Sequence, residues 1–249
     1  APAFLAGQSI VNGMRGIIRL FMARTLSVAL LMMAAGFIGI AMPFLPNNNA
    51  AYAAFTVGIP TMFLALWARP GKESDEEKGL ANVFAFAFPS AFLNMVLGIL
   101  IFAAGYYAVV NGLAEYTLTA DQLANLESVA GFAPTSQDEA KIVTAGYVGR
   151  TALTTFTVFT GIMLIIFAQP FHRFFAVAGD VVDDIKPTLL AGAMALLFIG
   201  AMAWENTRDY FELVVLRPLD YAIIAVMVVL WTLAVRYVLK IRLHQRVFG

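Results

Sequence analysis

The sequence predicts an all-α integral membrane protein of six transmembrane helices with both termini cytoplasmic, and three observations predict it. Of its residues 61% are hydrophobic and only 13% charged, with a mean hydropathy of +0.80; soluble domains average ~45–50% apolar and ~25% charged. Apolar runs long enough to cross a bilayer, roughly 20 residues each, recur along the chain. The positive charges alternate in density between successive connections, as they do across a membrane.

Residues 1–24 read as a cytoplasmic stalk helix. Arg15, Arg19 and Arg24 lie in an amphipathic stretch that does not resemble a cleavable signal, and Arg15 and Arg19, four apart, share one face. No breaker separates this stretch from the first span, about 26–42, so one long helix is expected; an interfacial anchor with snorkelling arginines is the commoner use of such a pattern. The chain starts at Ala1-Pro2 without methionine, which fits a piece of a longer protein.

Residues 25–249 form the six-helix transmembrane domain. No charge occurs from residue 25 to 68, and Pro43-Phe-Leu-Pro46-Asn-Asn-Asn49 divides this run into a hairpin of two spans, 26–42 and 52–68. The charged segment from Arg69 to Lys78 belongs in water. A third span is expected at 84–110, followed by a polar loop with a short helix over 115–141. The remaining spans fall near 151–171, 187–204 and 218–239. With the amino-terminal flank inside, twelve lysines and arginines lie inside, and Lys141, Arg150, Arg208 and Arg217 lie outside. Twelve against four supports cytoplasmic termini.

Within the second span, Thr56-Val-Gly-Ile-Pro60-Thr61 is the most informative motif. Gly58 loosens the backbone, and Pro60 lacks an N–H and clashes with the carbonyl one turn back, so the helix is expected to unwind at 58–60 and face the fourth span. Backbone freed at membrane depth lines an ion or substrate site where protein or water satisfies it; a plain packing kink is the alternative. The fourth span is threonine-rich (Thr151, Thr154, Thr155, Thr157, Thr160), a pattern that more often serves packing. Glu205, Asp209 and Asp220 sit at span edges and read as solvated.

Other chemistries lack their residues. Without cysteine, and with only His172 and His244, the segment has no thiolate chemistry and few metal-ligating side chains. It holds no phosphate-cradling glycine loop and no catalytic residues for hydrolysis or redox, and it binds no cofactor of its own. Zero net charge gives no reason to expect nucleic acid. The partner that composition demands is the lipid bilayer.

Gly7-Gln-Ser-Ile-Val-Asn12-Gly-Met, Phe55-Thr-Val-Gly-Ile-Pro60-Thr and Ala65-Leu-Trp-Ala-Arg-Pro-Gly71 together resemble the carboxy-terminal membrane half, helices five to ten, of P-type cation-transporting ATPases. The last motif is similar to a bacterial branch described as calcium-transporting. The resemblance implies a multi-pass protein of the bacterial plasma membrane that carries the transported cation and works with amino-terminal and cytoplasmic domains absent from this chain. Those domains would bind ATP and Mg²⁺; the family's Asp-Lys-Thr-Gly-Thr motif has no counterpart here. Carried over position by position, the asparagine ligand of the fifth helix falls on Thr25 and the glutamate on Val28. In the sixth helix Thr56 matches, and the aspartate falls on Val57. The implied cation ligands are thus Thr25, Thr56, Thr61 and carbonyls near Val57, with Arg15 and Arg19 on the coupling stalk. A non-catalytic scaffold that binds partners through its polar loops, and a secondary transporter, are the competing readings; the lack of intramembrane carboxylates and of an internal repeat weighs against the transporter.

Overall fold

The structure is a computed structural model that describes residues 2–39, 43–67, 80–116, 137–169, 174 and 185–241. Among these the chain is helical, with no strand: α1 (Pro2–Ile38), α2 (Pro46–Ala53), a π-helical turn (Ala54–Gly58), α3 (Ile59–Leu66), α4 (Leu80–Val110), α5 (Gln137–Ala168), α6 (Lys186–Ala203), α7 (Glu205–Tyr210) and α8 (Pro218–Ile241). Six stretches are long and apolar enough to span a membrane: Gly16–Ile38, Pro46–Leu66, Val83–Val110, Gln137–Ala168, Lys186–Ala203 and Pro218–Ile241. The all-α, six-span class therefore holds.

Several boundaries move. The second span begins at Pro46, not at residue 52, because Pro46 occupies the first helical turn, where its missing N–H costs nothing. The asparagines expected in a turn are helical, and Asn48 Oδ1 accepts the Leu45 N–H at 3.4 Å. The fourth span begins at Gln137, fourteen residues ahead of the expected 151. No proline lies between Ala140 and Thr151, the helix runs through Gly146 and Gly149, and Asp138 and Glu139 complement the positive end of the helix dipole in its first turn. The short helix expected in the polar loop, the Arg69–Lys78 segment and the carboxy-terminal tail lie outside the described residues.

The fold is organised around α5. Most of its apolar stretch is buried, against about a third or less for the other spans, and α1, α2, α4, α6 and α8 all pack on it. Gly16 lies against Gln169, and Gly98 lies against both Leu31 and Leu153, so α1 runs antiparallel to α5. In lipid, apolar burial gives little drive for helix association, and close packing at small residues replaces it. At Gly149 a Cβ would stand 3.0 Å from the Phe102 carbonyl oxygen, so glycine alone lets α4 and α5 approach this closely.

The connections are tied together away from the bundle centre. Arg217 pairs with Asp220 at 3.1 Å and donates through Nη1 to the Leu113 carbonyl at 2.8 Å. The Tyr116 hydroxyl bonds the same Asp220 carboxylate. Asp220, expected to be solvated, is instead ion-paired, because the end of α4 folds over the start of α8.

Candidate functional site

The proline of the second span shapes the site. The backbone over Ala54–Gly58 forms one wide π turn: Ile59 donates its N–H to the Ala54 carbonyl, five residues back, and Ala53, Gly58 and Ile59 keep helical dihedral angles. The Phe55 carbonyl thus receives nothing from Ile59, and Pro60 has no N–H to give it. Pro60 is accommodated by widening the helix, and α3 continues from α2 without an extended segment. Such single π turns occur frequently at functional sites.

The turn packs on α5. A Cβ on Gly161 would come within 2.5 Å of Thr56 Cγ2 and 3.2 Å of the Tyr52 ring, so Thr56 seats its methyl in the hollow that this glycine leaves. Thr56 is buried and its hydroxyl donates to the Tyr52 carbonyl at 2.6 Å, leaving its lone pairs available. Thr61 is only half-buried and donates to the Gly58 carbonyl at 3.2 Å. Thr25 is exposed, since the inward face of α1 is Leu20, Ala23, Ser27 and Leu31. Gly58 is exposed and Pro60 buried. Thr25 and Thr61 therefore belong to outward-facing parts of α1 and α3, and Thr56 belongs to the interior. The backbone at Arg15 is helical, and Arg19, on the same helix, is half-buried.

A polar network that the sequence did not reveal begins one turn earlier. Asn47, Asn48 and Asn49, consecutive in α2, reach different elements. Asn47 Nδ2 donates to Glu212 Oε1 at 3.1 Å, and Asn48 Nδ2 donates to the Phe211 carbonyl at 2.6 Å and the Glu212 carbonyl at 3.2 Å. Asn49 Oδ1 accepts from Arg24 Nη2 at 2.7 Å. Glu212 is buried with a left-handed backbone, φ 53°. Its Oε2 and the buried Tyr147 hydroxyl make no hydrogen bond. The Arg150 guanidinium lies over the Tyr147 ring and exerts its charge on Glu212. Burial pushes the Glu212 carboxyl above the ordinary range, and Arg150 and the Asn47 bond oppose that rise.

The same asparagines lead inward to α1 and α4. Arg24 stands over the Tyr52 ring, 5.4 Å from its centroid. Ser27 donates to the Ala23 carbonyl and accepts from Asn94 Nδ2 at 3.3 Å, while Asn94 Oδ1, fully buried, has no partner. The Tyr52 hydroxyl lies beside Ser27 and Arg24 without a well-formed hydrogen bond. In α5, Thr157 and Thr160 bond their own backbone, Thr151 accepts the Val214 N–H at 3.1 Å, and the buried hydroxyls of Thr154 and Thr155 have no partner. Among the described residues no three carboxylates or histidines come together as a metal cage. The interior thus offers neutral oxygens and isolated ionisable groups.

Fold and interior together define a multi-pass, all-helical membrane protein with a polar core beside a π-interrupted span. No protein-family model, curated protein or solved structure matches the chain.

Proposed function

We propose that the chain is the membrane-translocating part of an ATP-driven P-type cation pump, moving a divalent ion of the calcium class past the turn at Ala54–Gly58. The observation that carries the reading is the pairing of α1, an unbroken helix that starts at Pro2 and enters the first span at Gly16, with a neighbour widened beside a proline. A continuous helix transmits displacement at its cytoplasmic end to the middle of the membrane, and a π turn supplies carbonyls released from regular bonding.

In this reading Thr25, Thr61 and carbonyls near Val57 meet the ion from one side, with the lone pairs of Thr56 behind them. Calcium takes ~6–8 oxygens, carboxylates commonly among them. The exposed positions Ile18, Phe21, Thr25 and Met33 on α1, Gly58 at the end of the π turn, and Met62 and Leu66 on α3 are where amino-terminal helices of the pump would close and bring the missing acids. Hydrolysis of ATP with Mg²⁺ belongs to the cytoplasmic domains, and the cell membrane is the site of action.

The test is calcium uptake by vesicles that contain the full-length protein. Thr61→Val and Thr25→Val should each weaken apparent calcium affinity about tenfold, the equivalent of ~1.4 kcal/mol. Thr232→Val, on α8 and bonded to its own backbone, should leave affinity unchanged. ATP hydrolysis that does not respond to any divalent transport ion would overturn the reading.

A further inference from the structure

A cavity of about 690 Å³ opens between α5, α6 and α8, away from the π turn. Its size lies within the ~300–1,000 Å³ of small-molecule sites. Helices α6 and α8 both pack on α5 with little pairing of their own, and Ile199 and Ala225, which line the cavity from those two helices, are exposed. The cavity therefore opens sideways, toward lipid.

Its chemistry is graded from one end to the other. Thr155 of α5, Tyr221 of α8 and Arg208 of α7 line the end near the α6–α8 connection, and among the described residues they are its only polar side chains. One turn further along α5 stands Phe159, two turns further along α8 stands Val228, and Phe198 closes the same level from α6. Thr155 is 1% exposed, and its buried hydroxyl has no hydrogen-bond partner. Arg208 makes one long bond, Nη1 to the Met202 carbonyl at 3.5 Å, and no ion pair among the described residues. The Tyr221 hydroxyl accepts the Leu216 N–H at 3.5 Å and keeps its own proton to donate. A cation and two hydroxyl donors thus sit at the head of an apolar slot that ends among aromatic and aliphatic side chains.

We propose that this cavity binds a phospholipid with an anionic head group, the phosphate held by Arg208, Tyr221 and Thr155 and one acyl chain lying along Phe159, Phe198 and Val228. Charge complementarity selects the head, since Arg208 is the only charged residue of the lining among the described residues. The lateral opening selects a lipid from the adjoining leaflet over a water-soluble ligand. The site makes no use of the ion pathway and stands whether or not the chain belongs to a pump.

The experiment places the protein in nanodiscs of phosphatidylcholine doped with a phosphatidylglycerol that carries a diazirine in its acyl chain, and maps the cross-links by mass spectrometry. Adducts should concentrate on Phe159, Ile199 and Val228 and be displaced by excess unlabelled phosphatidylglycerol, with phosphatidylcholine ineffective. Arg208→Gln should lower capture about tenfold, as expected when one charge-assisted contact is lost. Ala225→Phe fills the slot and keeps Arg208, so it should abolish capture even if the arginine variant folds poorly. Equal labelling of outward residues such as Leu196, Val226 and Leu230, insensitive to competitor and to both variants, would mean ordinary boundary lipid and overturn the site. Displacement by free oleate as effective as by phosphatidylglycerol would overturn the choice of a phospholipid.

Discussion

Glu212 is a carboxylate in a left-handed backbone conformation, and both features cost free energy that the asparagines of α2 offset. A left-handed conformation costs a non-glycine residue roughly 1–2 kcal/mol, and such strain clusters at functional positions. Because burial raises the folded-state pKa of Glu212, its stabilising contribution is fully present below the unfolded carboxyl value, ~4.3, and is lost as pH rises through the higher folded value. Glu212→Gln should therefore gain thermal stability relative to the parent as pH is raised from 4 to 7, and the two proteins should converge in acid; melting in detergent at stepped pH measures this. Asn48→Leu removes the donor to two backbone carbonyls and should destabilise by about 1–3 kcal/mol at all these pH values, read in the same assay. None of this was legible beforehand, because Asn47-Asn48-Asn49 has the composition of a turn and Glu212 stands alone in its segment. The available signal was the apolar company of Glu212, Phe211 before it and Leu213-Val-Val-Leu216 after it, which marks a buried connection. On α1 the inward positions recur at 20, 23, 27 and 31, a spacing that places Thr25 off the face packed against α4 and α5.

At the scale of the element, periodicity and breakers carried the spans, and irregularity carried the site. The charge-free run, its division near Pro43–Pro46 and the weak point at Gly58-Pro60 were all readable, whereas the form of the irregularity was not. Whether proline kinks, unwinds or widens a helix depends on its neighbours, and here the decisive neighbour is Gly161, a hundred residues away, whose missing side chain admits Thr56. Gly161→Ala would push a methyl into Thr56 and should destabilise by about 1–3 kcal/mol through overpacking, visible as a lower melting temperature. Pro60→Ala tests the turn itself. It restores an N–H within reach of the unserved Phe55 carbonyl and removes the ring that excludes regular α geometry, so the isolated membrane domain should gain up to ~3 kcal/mol. If the chain is the translocating part of a calcium pump, as proposed above, the same change in that pump should abolish calcium uptake while insertion stays normal. Uptake at the parental rate would reduce the turn to a packing feature.

For the whole molecule, the six spans among the described residues are an even number, which predicts both ends on one side of the membrane, and the packing around α5 is compatible with either direction of insertion. Orientation is an expectation from charge: with the spans drawn from the sequence, twelve lysines and arginines fall on one side and four on the other, and in membrane proteins such an excess marks the cytoplasmic side. The structure supplies a physical companion to that count. One of the four, Arg217, is tied into the start of α8, where it joins the end of α4 to α8 through Leu113 and Asp220. It is not a freely solvated lysine-type charge of the kind that anchors a loop inside. The chain has no cysteine, so single cysteines report their own positions without background. Introduced at Ser9, on the amino-terminal helix, and at Ser136, just ahead of α5, they should respond oppositely to an impermeant thiol reagent added to whole cells. Ser136→Cys should label, and Ser9→Cys should label only after the membrane is permeabilised. The reverse pattern would invert the protein and put the Arg208 end of the lipid cavity in the cytoplasmic leaflet. Equal labelling at both positions in intact cells would mean an even number of crossings between them, where three are expected, or none of fixed direction, and would remove the basis for treating α1 as a cytoplasmic stalk.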